Sequence, residues 1–198
     1  SAYPNGSSDE RIYLIDLTTP SAPRQAGTLD FRPTSMHLDG SHLYTTSLAS
    51  PSFRIYDASD PDTPDLVFDE ASRILPLETG LPSTKTGGAE SVDVENGYAF
   101  VRFGRGAQNQ GGQNLIPLLV VWDVANPAAP VDSAAVPVPT EKEYYYPASA
   151  RIGDMLLFSA YFLGTDVFDQ GVTTVDVANP AAPQFVADMP TWDAGTLG

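Results

Sequence analysis

Four segments of the chain share one pattern of apolar and polar positions. In each segment, four mostly apolar or β-branched residues precede an aspartate, and three variable residues and the sequence Pro-x-x-Pro follow it. The segments are IYLIDLTTPSAP (12–23), FRIYDASDPDTP (53–64), LVVWDVANPAAP (119–130) and VTTVDVANPAAP (172–183). Residues such as Ile, Val, Tyr and Phe favour strands, so each segment is predicted to be a strand that ends in a tight turn. Repetition of such a unit along a chain indicates a repeat architecture.

A second pattern precedes the last three copies, at 34–47, 90–104 and 148–161. Each of these segments is predicted to be two short strands joined at a tight turn that contains Asp-Gly, Asn-Gly or Gly-Asp, which are strong hairpin signals. A full unit is therefore a hairpin, a strand that ends in aspartate, a proline turn and a last strand. Four antiparallel strands in a unit of about 40 residues or more predict a β-propeller blade.

The aspartates and prolines have structural explanations. The four aspartates are predicted to accept backbone N–H bonds from the turns that follow them; they are Asp16, Asp57, Asp123 and Asp176. The first proline of each copy fixes φ for the turn, and the second opens the next strand. Because proline cannot donate a backbone hydrogen bond, that strand is predicted to lie at the edge of its sheet.

The motifs IYLID, FRIYD, LVVWD and VTTVD, each with its proline turn, make the chain similar to the LVIVD-repeat family of β-propellers. The resemblance covers most of the chain. It implies a propeller fold on a secreted or cell-surface protein, usually with no assigned activity. The chain departs from a compact repeat at 75–90 and at 104–117, where extra residues separate the predicted strands.

The fold class expected from these patterns is all-β, with about three and a half blades that are part of a larger ring. The expected divisions are a half blade (1–29), a blade (30–72), a blade with long insertions (73–139), a blade (140–190) and the start of another (191–198). Propellers usually close with about four to eight blades. The remaining blades are therefore expected in a longer parent chain, which we favour, or in partner subunits.

Charge and composition exclude some partners. The net charge of −15 repels nucleic acid and anionic lipid heads, so neither nucleic acid nor a membrane surface is expected as a partner. No apolar run approaches the roughly 20 residues of a membrane span, so membrane insertion is not expected either. There is no cysteine, which excludes disulfides and a thiolate nucleophile. The first ten residues, SAYPNGSSDE, do not read as a signal peptide. An extracellular, cell-surface or periplasmic location is expected from the family resemblance.

Candidate binding residues follow from position in the predicted blades. Arg32 and Glu90 lie near the starts of predicted innermost strands and do not recur in every blade, unlike residues that serve the fold. Arg102 and Arg105 are further candidates at the rim of the propeller. Tyrosines on loops form adaptable recognition surfaces, which nominates two residues of EKEYYYP (141–147), Tyr144 and Tyr145. The alternative for each charged candidate is an ordinary solvated side chain.

One acidic segment is a weak calcium candidate. DASDPDTPD (57–65) contains Asp60, Asp62 and Asp65, and calcium binds several carboxylates at flexible spacing. The other copies of the repeat carry Thr, Ser, Asn or Ala at the positions of Asp60 and Asp62, so the turn does not require those carboxylates. No cofactor is predicted, and calcium is the one metal considered.

No catalytic constellation stands out in the sequence. The leading hypothesis is a non-enzymatic extracellular or cell-surface propeller that serves as a binding or structural module for a protein or carbohydrate. A secreted hydrolase-type enzyme, with its site on the loop rim, is an alternative. A subunit of a surface assembly or filament is a third, since an open propeller exposes apolar blade faces. Fold alone does not decide between them.

Overall fold

The computed structural model describes residues 11–49, 51–71, 73–74, 86–105, 116–138, 149–161 and 170–190, without the side chains of 86, 105, 159–161, 170–171 and 188–190. This part of the chain is all-β, as predicted. The strands are β1 Ile12–Asp16, β2 Arg24–Leu29, β3 Ser35–Asp39, β4 His42–Thr46, β5 Phe53–Asp57, β6 Asp65–Glu70, β7 Arg73–Ile74, β8 Thr86–Glu95, β9 Tyr98–Arg105, β10 Leu118–Asp123, β11 Val131–Pro137, β12 Ser149–Ile152, β13 Met155–Tyr161, β14 Gln170–Asp176 and β15 Gln184–Pro190.

The strands form antiparallel sheets that follow the order of the chain. We call them blade 1 (β1-β2), blade 2 (β3-β4-β5-β6), blade 3 (β7-β8-β9-β10-β11) and blade 4 (β12-β13-β14-β15). The four-stranded antiparallel unit predicted from the repeat is therefore present, and the fold class of a partial propeller is confirmed. Blade 3 gains a short fifth strand, β7, which pairs with the first residues of β8 and lies just before the insertion that the sequence marks at 75–90.

Each repeat turns at its aspartate, and we call these turns, at Asp16, Asp57, Asp123 and Asp176, the aspartate corners. All four have the same geometry. In each, a carboxylate oxygen accepts a hydrogen bond from the backbone N–H two residues later, at 2.8 or 2.9 Å; the donors are Thr18, Ser59, Ala125 and Ala178. The register between the last two strands shifts just before every corner, which marks an irregularity at one repeated position. The corners are therefore equivalent sites of one repeat.

Prolines and glycines hold the connections as predicted. The second proline of each copy immediately precedes the outermost strand of its blade, and that strand lies at the sheet edge. In the hairpin of blade 3, Asn96 and Gly97 have φ values of 52° and 77°, which suit a tight two-residue turn. Gly40 and Gly153 take the same left-handed conformation in blades 2 and 4.

Successive blades pack face to face through apolar side chains. Between blades 2 and 3, the rings of Phe53 and Trp122 stack with their centres 5.0 Å apart. Between blades 3 and 4, Phe100 and Leu119 pack against Leu156 and Phe158. A smaller cluster joins blade 1 to blade 2. Each full blade thus has a front face toward the next blade and a back face toward the preceding one.

The regular secondary structure of the described residues consists of β-strands. They contain no helix of the length and apolar character needed to cross a membrane.

Candidate functional site

The innermost strands of the three full blades lie side by side. Strand β3 contacts β8, and β8 contacts β12. The Thr34 hydroxyl donates to the carbonyl of Ala89 at 2.9 Å, and the backbone N–H of Val92 donates to the Ser35 hydroxyl at 3.5 Å. These bonds fix the relative positions of blades 2 and 3 at their inner ends.

Four ionisable side chains meet across these inner strands, and we call them the inner-strand cluster: His37 (β3), Asp93 and Glu95 (β8), and Arg151 (β12). Arg151 donates through Nε to Asp93 at 2.8 Å, and its Nη1 lies 2.7 Å from Glu95 Oε2. The Nδ1 atom of His37 lies 3.5 Å from the other carboxylate oxygen of Asp93. One cluster therefore joins blades 2, 3 and 4.

Exposure within the inner-strand cluster is graded. Arg151 and Asp93 are mostly buried, and the Arg151 guanidinium lies 4.5 Å from the centre of the Phe100 ring. His37 is partly exposed, and Glu95 is the most exposed member at 44%. The buried members fix the geometry, while Glu95 and His37 offer hydrogen-bonding groups to solvent. Such a cluster suits recognition of hydroxyl or amide groups on a ligand.

The structure brings two of the sequence candidates together. Arg102 donates from Nη1 to Oε2 of Glu90, and these residues are 1% and 3% exposed. The guanidinium carbon of Arg102 lies 5.8 Å from the centre of the Phe158 ring, on the side of blade 4. The Glu90 carboxylate lies against Gly104, where a Cβ would be 2.8 Å from Oε2. This ion pair is part of the packed interior.

The remaining binding candidates do not come together in the described structure. Arg32 is exposed in the connection between β2 and β3. Arg105 ends β9, but its side chain lies outside the described residues. Tyr144 and Tyr145 also lie outside them. Their roles in binding stay predictions.

The calcium candidates take part in turn and blade contacts. Asp60 accepts hydrogen bonds from the backbone N–H of Asp62 at 3.0 Å and from the Thr63 hydroxyl at 2.8 Å. Asp62 receives two bonds from Arg24, at 2.6 and 3.1 Å, which join blade 2 to blade 1. Asp65 is exposed at the start of β6. Among the described residues, no three acidic or histidine side chains are grouped so as to hold a metal ion.

The bonds around Arg24 shift the pKa values of the groups involved. Hydrogen bonding from Arg24 lowers the pKa of Asp62, and the same bond raises the pKa of Arg24. Arg24 Nε also lies 3.0 Å from Asp16 of the first corner. The Asp62 carboxylate is therefore held ionised by a guanidinium.

Sequence reasoning missed Asp93 and Glu95 as members of a cluster. The signal that could have found Asp93 is its position in the hairpin, since it matches His37 of the preceding blade, two residues before the end of the inner strand. His37 and Asp93 each lie between two apolar residues of their strand. Polar residues at the same inner-strand position of successive blades therefore indicate a cluster better than a charged residue that occurs in one blade only.

Antiparallel four-stranded sheets, packed face to face with equivalent corners, define a propeller-type repeat protein. The sequence model of the LVIVD repeat matches residues 167–191, which contain the Asp176 corner and both of its strands. LVIVD repeats are associated with propeller folds, and the match confirms the resemblance predicted from the sequence. A comparison with curated proteins finds no match to the chain.

Proposed function

We propose that the chain is a non-enzymatic interaction module, located outside the cell, at its surface or in the periplasm, that binds a protein or a carbohydrate. The inner-strand cluster is the recognition site in this proposal. The observation that carries it is the joining of three blades by one polar cluster whose most exposed member, Glu95, is a carboxylate. A site of this kind can bind a partner through hydrogen bonds without catalysing a reaction.

The burial of Glu90 and Arg102 supports a non-enzymatic role. A catalytic acid or base must reach the reacting atoms of a substrate. These two side chains are instead paired with each other between packed strands, away from solvent. They favour a structural role over the rim-located hydrolase that the sequence leaves open.

The chemistry of the inner-strand cluster supports a polar ligand. The Glu95 carboxylate accepts hydrogen bonds, and the imidazole of His37 can donate or accept them. Arg151 anchors the strand that carries Glu95, and Asp93 of the same strand contacts His37, so little conformational entropy is lost when a ligand is bound. Sugar hydroxyls and peptide amides are the groups that match these side chains.

The experiment is a binding screen of the whole chain on glycan and peptide arrays, with affinities of the strongest ligands measured by calorimetry. Glu95→Gln removes the exposed charge and is expected to weaken binding at least about tenfold, since one charge-assisted bond contributes about 1.5–3 kcal/mol. Asp132→Asn is the matched control, because Asp132 is also about half exposed and paired with an arginine, Arg73, but lies on an outer strand of blade 3. The proposed site is contradicted if Glu95→Gln binds the ligand with unchanged affinity, or if neither array yields a ligand.

A separate assay tests the enzymatic alternative. Nitrophenyl esters and glycosides are expected to show no turnover above the background rate. The non-enzymatic proposal is overturned if the unsubstituted chain shows turnover and a folded Glu90→Gln variant does not.

A further inference from the structure

The hydroxyl of Ser91 lies in the packed interior of the structure. Ser91 is on β8 and is 1% exposed. Its Oγ atom is buried and meets no hydrogen-bond partner among the residues that the structure describes. Buried hydroxyls of folded proteins are hydrogen-bonded to protein or to an ordered water in the large majority of cases, because an unmade bond costs the full desolvation of the group. The Ser91 hydroxyl therefore indicates a ligand.

Ser91 lies on the face of blade 3 that packs on blade 4. It is directly opposite Arg102 in the pairing of β8 with β9, and residues opposite each other in a sheet share a face. The guanidinium carbon of Arg102 lies 5.8 Å from the centre of the Phe158 ring, on blade 4. Because β8 is the inner strand of blade 3, the Ser91 hydroxyl is aimed at the inner part of the junction between these two blades.

The matching hydroxyl at the preceding junction does have a partner. Ser35 precedes the end of β3 by four residues, as Ser91 precedes the end of β8. The Ser35 hydroxyl accepts the backbone N–H of Val92 at 3.5 Å, and Val92 lies three residues before the end of β8. The repeat thus uses this serine to bond the inner strand of the next blade.

At the junction of blades 3 and 4, the equivalent donor is the backbone N–H of Ser149. Ser149 lies three residues before the end of β12, at the position that Val92 has in β8. It is opposite Phe158 as Val92 is opposite Val101, so its N–H points out of the free edge of the sheet. Both serines belong to the described residues, yet this N–H makes no bond to the Ser91 hydroxyl. The two groups face one junction without direct contact.

We propose that one internal water molecule bridges the Ser91 hydroxyl and the N–H of Ser149. Folded proteins hold about one buried water per 27 residues, and such a water makes about two to four hydrogen bonds to polar groups. The hydroxyl and the N–H supply two partners, and the side chain of Arg102 lies on the same face as a further polar group. The bridge joins blades 3 and 4 at the position where Val92 and Ser35 join blades 2 and 3 directly.

Water is the ligand that fits this position. A backbone N–H donates and a serine hydroxyl does either, so the bound molecule must accept one bond and can donate or accept the other. Phe100, Leu119 and Phe158 pack at the same junction and are at most 2% exposed, which favours a ligand of one heavy atom. A water-mediated bond is nearly as good in enthalpy as a direct one.

Two measurements on the whole chain test the bridge. A high-resolution crystal structure is expected to place an ordered water within hydrogen-bond distance of both Ser91 Oγ and Ser149 N. Magnetic relaxation dispersion of the solvent counts the water molecules that stay bound for longer than the protein takes to tumble. Ser91→Ala is expected to lower that count by one. Ser35→Ala is the matched control, because it removes a hydroxyl that has a protein partner, and it is expected to leave the count unchanged.

Urea denaturation separates a hydrated hydroxyl from an unsatisfied one. If Ser91 bonds to water, Ser91→Ala is expected to unfold at a lower urea concentration than the unsubstituted chain, whereas removal of an unsatisfied buried hydroxyl raises the midpoint. A raised midpoint overturns the proposal, and so does an unchanged water count in Ser91→Ala. A crystal structure without water at this position, or with another part of the chain bonded to Ser91 Oγ, also overturns it. None of these results depends on ligand binding at the inner-strand cluster.

Discussion

Arg151 of β12 donates through Nε to Asp93 of β8 at 2.8 Å, and this bond connects the innermost strands of two successive blades. Both side chains are mostly buried. The same guanidinium lies over Phe100 and reaches Glu95. One arginine thus serves both the packing between the blades and their electrostatic contact.

Replacing this arginine tests its contribution to stability. Arg151→Leu is expected to lower the free energy of unfolding by about 1–3 kcal/mol, because Asp93 and Glu95 lose their shared counter-charge. Leu38 occupies the matching position in blade 2, so leucine is compatible with the strand. Urea denaturation gives the value. Arg11→Leu, which breaks the exposed pair with Asp30, is the control and is expected to cost less than about 1 kcal/mol. Equal losses would contradict a special role for Arg151.

The buried pair of Glu90 and Arg102 is expected to respond differently to single and double replacement. Glu90→Leu and Arg102→Met are each expected to cost about 3 kcal/mol, because each removes one charge of the buried pair and leaves the other. The double variant Glu90→Leu/Arg102→Met removes both charges and is expected to recover part of that loss. Thermal and urea unfolding of all variants complete a double-mutant cycle. A double variant as unstable as the sum of the singles would show that the charges do not act as a pair.

Acid is expected to weaken the corners at Asp16 and Asp57. The backbone N–H of Thr18 lowers the pKa of Asp16, and that of Ser59 lowers the pKa of Asp57. A carboxyl whose pKa is lower in the folded state stabilises that state above its unfolded pKa of about 3.9, and this contribution disappears as the pH falls through the folded pKa. Unfolding followed from pH 7 to pH 2 checks the direction. Carboxyl NMR titration of the folded and urea-unfolded chain would contradict this account if both aspartates titrate alike in the two states.

Two glycines are expected to tolerate alanine to different extents. A Cβ on Gly88 would lie 2.5 Å from the Cα and carbonyl oxygen of Leu48, so Gly88→Ala must displace backbone between blades 2 and 3 and is expected to cost about 1–3 kcal/mol. Gly40 has open space around it but a φ of 56°, so Gly40→Ala is expected to cost about 1 kcal/mol through strain alone. Urea denaturation ranks the two variants. A Gly88→Ala variant as stable as the unsubstituted chain would refute the close packing of Gly88 on Leu48.

Calcium is expected to leave stability unchanged. The carboxylates of Asp60 and Asp62 already accept bonds from their own turn and from Arg24. The unfolding temperature in excess calcium and in a chelator is therefore expected to be the same. A calcium-dependent rise that disappears in Asp65→Asn, with the turn bonds intact, would instead support the calcium site considered from the sequence.

The sequence by itself determined the repeat and its local geometry. An aspartate that accepts the N–H two residues later, a proline before an edge strand and a glycine with positive φ all act within a few residues of chain. Their effect does not depend on which blade is adjacent. The blade and its hairpins could therefore be predicted from the residues that form them, as Asp57 and Gly97 show.

The sites that join the blades were decided only by the tertiary structure. Arg151 and Asp93 are 58 positions apart, and Arg24 and Asp62 are 38 apart. Whether such side chains meet depends on how each sheet rotates and packs on the preceding one, which apolar burial over a whole blade face determines. Glu90 was recognised as unusual in the sequence, but its pairing with Arg102 required the register of β8 and β9. Local propensity fixes the form of each blade, whereas packing between blades decides which charges become neighbours.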